Sequence, residues 1–270
     1  MSKIAFIGAG NMNSAIILGL LNSGMNAKDI IVANPSPAKR EALAEQHGIL
    51  QTADNNEAVA FADVIVLGVK PHLISDVCQQ ISQANDVSQK CFLSVAAGTL
   101  VSTIQQALGG NVAVVRTMPN TPSQLGLGIT GAFPSQEVTA EQKAISEQLI
   151  KAVGEIVWLT EEAQIDQITA VSGSGPAYYF LFMEAMENKA KEFGFTPEQS
   201  RLLVQQTALG AATMVAKNDI SIGQLRANVT SKGGTTQAAL TSFIDGGLAE
   251  LVEKSMDAAV ARAKEMANNS

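Results

Sequence analysis

The chain has 270 residues, of which 46% are hydrophobic, and it carries a formal net charge of −7. At roughly 100 to 200 residues per domain, this length favours two domains. The acidic balance argues against nucleic acid or an anionic membrane as a partner. The two cysteines suggest neither a disulfide framework nor a zinc site. The sequence KIAFIG follows Met1 almost at once and leaves no secretory signal, so we expect a cytoplasmic protein with a small-molecule ligand.

The first 160 residues alternate short apolar runs with longer amphipathic segments. The apolar runs lack polar alternation, which is typical of strands buried on both faces. Repeated strand and helix units predict an α/β fold with a Rossmann-type, doubly wound parallel sheet in residues 1–160. The predicted strands are Ile4–Ile7, Ile30–Ala33, Val64–Leu67, Phe92–Val95 and Val112–Val115, with further strands at Gly126–Phe133 and Ile156–Leu159. The predicted helices are Asn11–Asn22, Ser36–His47, Leu73–Gln83, Leu100–Leu108 and Thr139–Val153.

Residues 161–270 show only helical patterns. The segment Leu202–Ala216 has no charged residue, and Tyr178–Met186 is apolar on nearly every face. Such helices need burial all round, and a domain of this size has too little interior to bury several of them. We therefore predict an all-α dimerisation domain and a homodimer or larger homo-oligomer, with one central buried helix in a monomer as the alternative. The predicted helices are Ile165–Val171, Pro176–Phe193, Pro197–Lys217, Thr235–Ile244 and Leu248–Ala267.

A glycine turn follows the first predicted strand. The sequence GAGNMN from Gly8 opens a helix, and Gly8 and Gly10 supply the tight turn and close approach that a pyrophosphate needs. Asn13 stands at the third glycine position, where the dinucleotide fingerprint has a small residue. The turn predicts dinucleotide binding, with a tight turn without ligand as the alternative.

The end of the second predicted strand indicates which dinucleotide is preferred. NAD sites usually place a carboxylate there on the ribose hydroxyls, whereas this chain has Asn34, Pro35 and Ser36. Neutral groups and the nearby cations Lys39 and Arg40 would accept a 2′-phosphate, so NADPH is favoured and NADH is possible. The two cations are equally compatible with an ordinary solvated helix face.

A second glycine turn, NVTSKGGTT from Asn228, also runs into a predicted helix. Unpaired N–H groups and the helix dipole at such a turn attract anions. We expect the first turn to bind a dinucleotide and the second a small acid.

The chain contains six motifs in the order IGAGNM at Ile7, VKP at Val69, SVAAG at Ser94, MPNTP at Met118, SGSGPAY at Ser172 and NVTSKGGTT at Asn228. In this order they resemble the pyrroline-5-carboxylate reductase family over nearly the whole chain. The resemblance implies a nicotinamide-dependent reductase that converts 1-pyrroline-5-carboxylate, a cyclic imino acid, into L-proline in the last step of proline biosynthesis. It also implies a Rossmann domain followed by a helical dimerisation domain.

The resemblance also implies roles for individual residues. Lys232 departs from the family pattern, which commonly has Pro in that turn, and this puts the substrate affinity in doubt. The implied cofactor contacts are Gly8, Gly10, Asn11, Met12, Asn34, Ser36, Asn55, Val69, Lys70, Pro71, Ala96, Ala97 and Asn228. The implied substrate contacts are Glu162, Ser231, Gly234, Thr235 and Thr236.

Reduction of a cyclic imine requires a positioned hydride donor, a protonated ring nitrogen and an anchor for the carboxylate. Backbone N–H groups at Gly234, Thr235 and Thr236 suit the carboxylate, and the Thr236 hydroxyl is our catalytic candidate at the ring nitrogen. An iminium ion arrives already protonated, so neither His47 nor His72 is required as an acid.

Other functions remain open at this stage. An NADPH-binding regulator without turnover, or a reductase of a related cyclic imine or small acid, would share the first turn. The 3-hydroxyacid dehydrogenases and acetohydroxyacid reductoisomerases also join a Rossmann domain to a helical domain, so the fold alone does not decide. The catalytic Lys motif of the first group and the magnesium-binding carboxylates of the second are not evident in this sequence.

Overall fold

The computed structural model describes residues 2–268. The chain forms two compact units: the first runs to Ser174 and includes the chain from Ala259, and the second is Gly175–Ala258. The sequence predicts a domain boundary after residue 160, and that boundary stays a prediction. Within the described range, no helix is both long enough and apolar enough to cross a membrane.

The first unit is built on one eight-stranded sheet with the order β3-β2-β1-β4-β5-β6-β7-β8. Every residue of β1, β2, β4 and β5 is buried, as their continuous apolar sequences predict. Buried apolar clusters lie on both faces of the sheet. This confirms the predicted Rossmann-type architecture. The strands are β1 (Ile4–Ile7), β2 (Ile30–Ala33), β3 (Leu50–Thr52), β4 (Val64–Leu67), β5 (Cys91–Ser94), β6 (Ala113–Met118), β7 (Gly128–Pro134) and β8 (Gly154–Trp158).

Six α-helices of the first unit lie between these strands, and a seventh follows β8. Several begin with local signals, such as the Thr139 capping box that starts α6. The α-helices are α1 (Asn11–Asn22), α2 (Pro37–His47), α3 (Asn55–Phe61), α4 (Ile74–Ala84), α5 (Val101–Ala107), α6 (Ala140–Lys151) and α7 (Gln164–Ile168). Short 3-10 helices span Ala27–Asp29, Pro71–Leu73 and Thr121–Leu125, and a π-helical turn spans Thr169–Gly173.

Two features of the sheet differ from the predicted pattern. Strand β7 runs antiparallel to β6, whereas the other neighbouring pairs are parallel. The connection between them contains only a short 3-10 helix, Thr121–Leu125, which is too short for a parallel crossover. Strand β3 was absent from the prediction because it has only three residues, and its central Gln51 is exposed.

The second unit is helical, as predicted. Helices α8 and α9 pack against each other, and the rings of Phe182 and Phe243 lie 5.8 Å apart between α8 and α11. A Thr196 capping box starts α9. The helices are α8 (Gly175–Glu192), α9 (Pro197–Ala216), α10 (Ile222–Asn228) and α11 (Thr235–Asp245), followed by α12 (Leu248–Asn268), which continues beyond the unit.

Candidate active site

The first glycine turn lies between β1 and α1. Gly8 has a φ of +98°, and a Cβ added there would lie 2.8 Å from the Gly68 carbonyl oxygen, so only glycine fits. Gly10 precedes α1 in an extended conformation, and no side chain caps this helix start. The first N–H groups of α1 are therefore left for an anion.

Asn34 links this turn to the end of β2. Its Oδ1 accepts a hydrogen bond from the Ala9 N–H at 3.2 Å, and its Nδ2 donates to the Ser36 carbonyl at 3.0 Å. Arg40 reaches the same corner and donates to the carbonyls of Asn34 and Pro35 at 2.9 and 3.0 Å. Arg40 thus hydrogen-bonds to the backbone at the end of β2, while Lys39 is exposed, and the contact of these cations with a 2′-phosphate stays a prediction.

The other predicted cofactor residues of the first unit follow neighbouring strands. Strands β1, β2, β3, β4 and β5 are parallel, so their carboxyl ends share one edge of the sheet, where dinucleotides bind in open α/β folds. Asn55 starts α3 after β3, Val69–Pro71 follow β4, and Ala96 and Ala97 follow β5. The structure therefore brings these residues to the edge that holds the glycine turn.

The second glycine turn lies in the second unit, at the start of α11. Gly233 has a φ of +73°, and Gly234 precedes the helix in an extended conformation without a side-chain cap. The Gly234 N–H donates to the Ser231 carbonyl at 3.0 Å, so this amide shapes the turn and the following amides remain for a ligand. Thr235 and Thr236 are exposed.

Asn228, the remaining predicted cofactor residue, ends α10, five residues before Gly233 in this same unit. Its Oδ1 accepts a hydrogen bond from Gln224 Nε2 at 2.8 Å, and its side chain is exposed.

Glu162 forms an ion pair in the first unit. Its Oε1 accepts hydrogen bonds from Arg116 Nη1 at 2.9 Å and from the Val101 N–H at 2.8 Å. Arg116 is 2% exposed, and its Nη2 also lies 3.8 Å from Asp166 Oδ1. The predicted substrate contact of Glu162 stays a prediction, and the structure gives one of its oxygens a second role. Through these hydrogen bonds, Glu162 links the segment before α7 to β6 and to the start of α5.

Sequence reasoning missed Arg116 and Asn120. A charged residue inside the apolar strand sequence VAVVRTM was the available signal for Arg116, because a buried charge needs a partner. Asn120 donates from Nδ2 to the Ser172 carbonyl at 3.1 Å and accepts from the Ile129 N–H at 3.0 Å. It thereby ties the MPNTP motif to the SGSGP motif, a link that only the folded chain reveals.

The two cysteines are buried away from this edge. Burial raises the pKa of the Cys78 thiol to about 12 and that of Cys91 to about 11. Both are free thiols within the described residues. A thiol with a raised pKa is a poor nucleophile at neutral pH, so neither fits a catalytic role.

Comparison with known proteins identifies the family. Residues 162–266 match the family described as pyrroline-5-carboxylate reductase dimerisation, and residues 3–98 match one described as NADP oxidoreductase, coenzyme F420-dependent. The pyrroline-5-carboxylate reductase of Vibrio alginolyticus is 50% identical over 265 residues, covering 98% of this chain and 97% of the relative. The chain belongs to the pyrroline-5-carboxylate reductase family. It is thus an oxidoreductase, and the resemblance of its six motifs is confirmed.

Solved structures agree with this family. A pyrroline-5-carboxylate reductase from Coxiella burnetii matches with a TM-score of 0.94 and 43% identity, covering 98% of each chain. The Plasmodium falciparum pyrroline carboxylate reductase, solved with NADP bound, matches with a TM-score of 0.86 and 29% identity, also over 98% of each chain. A ketol-acid reductoisomerase from an uncultured archaeon, at 17% identity and a TM-score of 0.66 over 99% of this chain and 84% of its own, shares the fold alone.

Proposed function

We propose that this chain reduces 1-pyrroline-5-carboxylate to L-proline with NADPH, through the residues that its two glycine turns present. The observation that supports this most is the pair of uncapped helix starts at Gly10 and Gly234. Their backbone angles are nearly the same, with φ and ψ of −78° and 169° at Gly10 and −83° and 171° at Gly234. A reductase of a small acid needs two anion sites, one for the cofactor phosphates and one for the substrate carboxylate.

The first turn fits the pyrophosphate of a dinucleotide. Gly8 and Gly10 bring the backbone close, and the amides of Asn11 and Met12 begin α1 without an internal partner. NADPH supplies the hydride when it is bound. Val69, Lys70 and Ala97 follow β4 and β5 and are assigned to the nicotinamide side, with Pro71 and Ala96 beside them.

The corner after β2 is assigned to the 2′-phosphate. Ser36 is exposed there, and the corner presents Asn34, Pro35 and Ser36 in place of a carboxylate. Arg40 contributes positive charge although its N–H groups bind the Asn34 and Pro35 carbonyls, since hydrogen bonding leaves its charge in place. Asn55 lies on the adenosine side of this corner. These groups favour NADPH over NADH.

The second turn is assigned to the substrate carboxylate. The amides of Thr235 and Thr236 start α11, where the helix dipole adds to the attraction of an anion. The Thr236 Oγ1 accepts a hydrogen bond from the protonated ring nitrogen and so orients the ring. Bound NADPH would supply a hydride to the trigonal carbon, and the electron pair of the C=N bond would pass to the nitrogen, which would keep its proton. No side-chain acid is needed.

Helices α8 and α9 are assigned to a homodimer interface. Tyr179 and Leu181 on α8 are 70% and 68% exposed, and Leu202 and Leu209 on α9 are also exposed. Large apolar side chains exposed in this number on two helices mark an association site. Light scattering after gel filtration tests the dimer, and Leu181→Glu should shift it towards monomer. Cytoplasmic localisation stays a prediction from the sequence.

The decisive assay follows NADPH absorbance when 1-pyrroline-5-carboxylate is added to the purified protein. We expect oxidation of NADPH and formation of proline, with NADH used less efficiently in a parallel reaction. Binding of NADPH without oxidation would instead favour a regulator. Oxidation only with another cyclic imine or small acid would reassign the substrate.

A further inference from the structure

Asn13 occupies the third position of the glycine fingerprint, and its side chain is turned inward. The residue is 1% exposed. Its Nδ2 donates to the Gly8 carbonyl at 2.7 Å and to the Ile7 carbonyl at 3.3 Å. Both acceptors are carbonyl oxygens, so the amide atom that faces them must be the donor nitrogen. The two hydrogen bonds therefore define the orientation of the Asn13 amide.

Asn34 binds the other side of the same peptide unit. The peptide that joins Gly8 to Ala9 has its carbonyl held by Asn13 Nδ2 and its N–H held by Asn34 Oδ1, at 2.7 and 3.2 Å. Two amide side chains, one from α1 and one from the end of β2, therefore determine the plane of one peptide. This peptide belongs to the turn that approaches the cofactor phosphates.

Gly68 makes room for the inward amide. A Cβ at Gly68 would collide with the amide atoms of Asn13. The Gly68 N–H donates to the Ile7 carbonyl at 2.9 Å, and its own oxygen lies 2.8 Å from the position of a Cβ on Gly8. The glycine after β4 thus leaves the space that the large residue in the fingerprint occupies.

The arrangement has an energetic cost for folding. Within residues 2–268, Asn13 Oδ1 is buried and has no hydrogen-bond partner. A buried acceptor without a partner destabilises the folded state, and alanine at this position would remove it. Local violations of this kind are expected at functional sites, where position matters more than stability.

We propose that Asn13 and Asn34 form an amide clamp that positions the Gly8–Ala9 peptide for binding of a dinucleotide phosphate. The proposal deepens the proposed function and rests on it for the identity of the cofactor. Because Asn13 Nδ2 donates to the carbonyls of Ile7 and Gly8, the partial negative charge of these two oxygens is compensated and repels a phosphate less. Asn13 is then a positioning residue, in place of the small residue that usually fills this site.

The test measures NADPH binding by the fluorescence of the cofactor, without substrate, together with the thermal unfolding midpoint. Asn13→Asp keeps the size but replaces the donor with an acceptor, and we expect the Kd for NADPH to rise on the order of 10-fold or more. For Asn13→Ala we expect a rise of about 3-fold to 10-fold, with a midpoint close to that of the unmodified protein, because the variant removes the unpaired Oδ1 but also leaves the Gly8 carbonyl without its donor. Asn22→Asp, at the exposed far end of α1, is the matched control and should change neither quantity appreciably.

A double variant probes the clamp itself. Because Asn13 and Asn34 hold the same peptide, the loss of affinity in Asn13→Ala with Asn34→Ala should be smaller than the product of the two single losses. Unchanged NADPH affinity in both Asn13 variants would overturn the proposal. The proposal would also be overturned if NADPH affinity fell only in variants with a lowered unfolding midpoint, because the loss would then reflect a less stable fold. Failure of the unmodified protein to oxidise NADPH would refute the proposed function alone, because the binding measurements do not depend on turnover.

Discussion

The two glycine turns have nearly the same backbone at the helix start and very different surroundings. Around Gly8, the strands on both sides hold the turn: the Gly8 N–H donates to Ala33 and the Gly68 N–H donates to Ile7. Around Gly234, the turn is held by local contacts, chiefly from Ser231 and Gln237, and most of its residues are exposed.

The difference shows that one local motif can be held in place in two ways. Neighbouring strands of the sheet hold the first turn, and no side chain of the described residues caps the helix that follows it. The second turn has few neighbours, so its conformation depends mainly on its own glycines and on what binds it. Equivalent substitutions in the two turns should therefore have unequal effects on stability.

The largest effect is expected from alanine at Gly8. Gly8→Ala adds a Cβ that meets the Gly68 backbone in a residue with positive φ, and should lower the free energy of unfolding by about 3 kcal/mol or more. Gly233→Ala also has positive φ but meets no atom within 4 Å, so the cost is about 1 kcal/mol. Urea unfolding of both variants measures this, and equal losses would show that the sheet does not restrain the first turn.

A smaller loss is expected when Glu162 is removed. Glu162→Ala leaves the buried Arg116 with only the longer contact to Asp166 and leaves the Val101 N–H unpaired, so we expect a loss of about 2 kcal/mol. Glu162→Gln keeps an acceptor for both donors and should lose less. The exposed neighbour Glu161→Ala is the control for removal of one charge. Coincident unfolding curves for the two alanine variants would show that the ion pair between Arg116 and Glu162 does not stabilise the fold.

The sequence predicted most of the fold and part of the site. Four-residue apolar runs predicted β1, β2 and β4 with the bounds that the structure has. A strand that is buried on both faces is a continuous apolar run, and such a run can be recognised from the local sequence alone. The direction of β7 and the 46-residue separation of Arg116 and Glu162 depend on tertiary contacts that no local pattern contains. Asn13 was recognised as a departure, but its partners Gly8 and Gly68 appear only in the folded chain.

The substrate turn should respond in turnover more than in stability. Thr236→Val removes the acceptor assigned to the ring nitrogen and should lower kcat/KM for the imine by roughly 10-fold, or about 1.4 kcal/mol, with NADPH affinity unchanged. Thr241→Val, on the same exposed helix, is the matched control. Steady-state kinetics with the imine measures both variants. Equal kcat/KM values for both variants and the unmodified protein would remove Thr236 from the mechanism.

The smallest effect is expected from modification of the cysteines, because both thiols are buried and neither is assigned to catalysis. Burial raises the pKa of Cys78 to about 12 and that of Cys91 to about 11, so the fold favours the neutral thiols. The stability from this source is complete below the ordinary value of 9.0 and is lost as the pH rises through these raised values. A thiol reagent at pH of about 8 should react only after urea is added. Rapid reaction with the native protein would contradict this.

A crystal structure of the protein with NADP⁺ and proline tests the assignment of the two turns in a single measurement. We expect the pyrophosphate against the amides that follow Gly10 and the proline carboxylate against the amides of Thr235 and Thr236. A proline carboxylate bound elsewhere, with those two amides facing only solvent, would contradict the proposed function of the second turn.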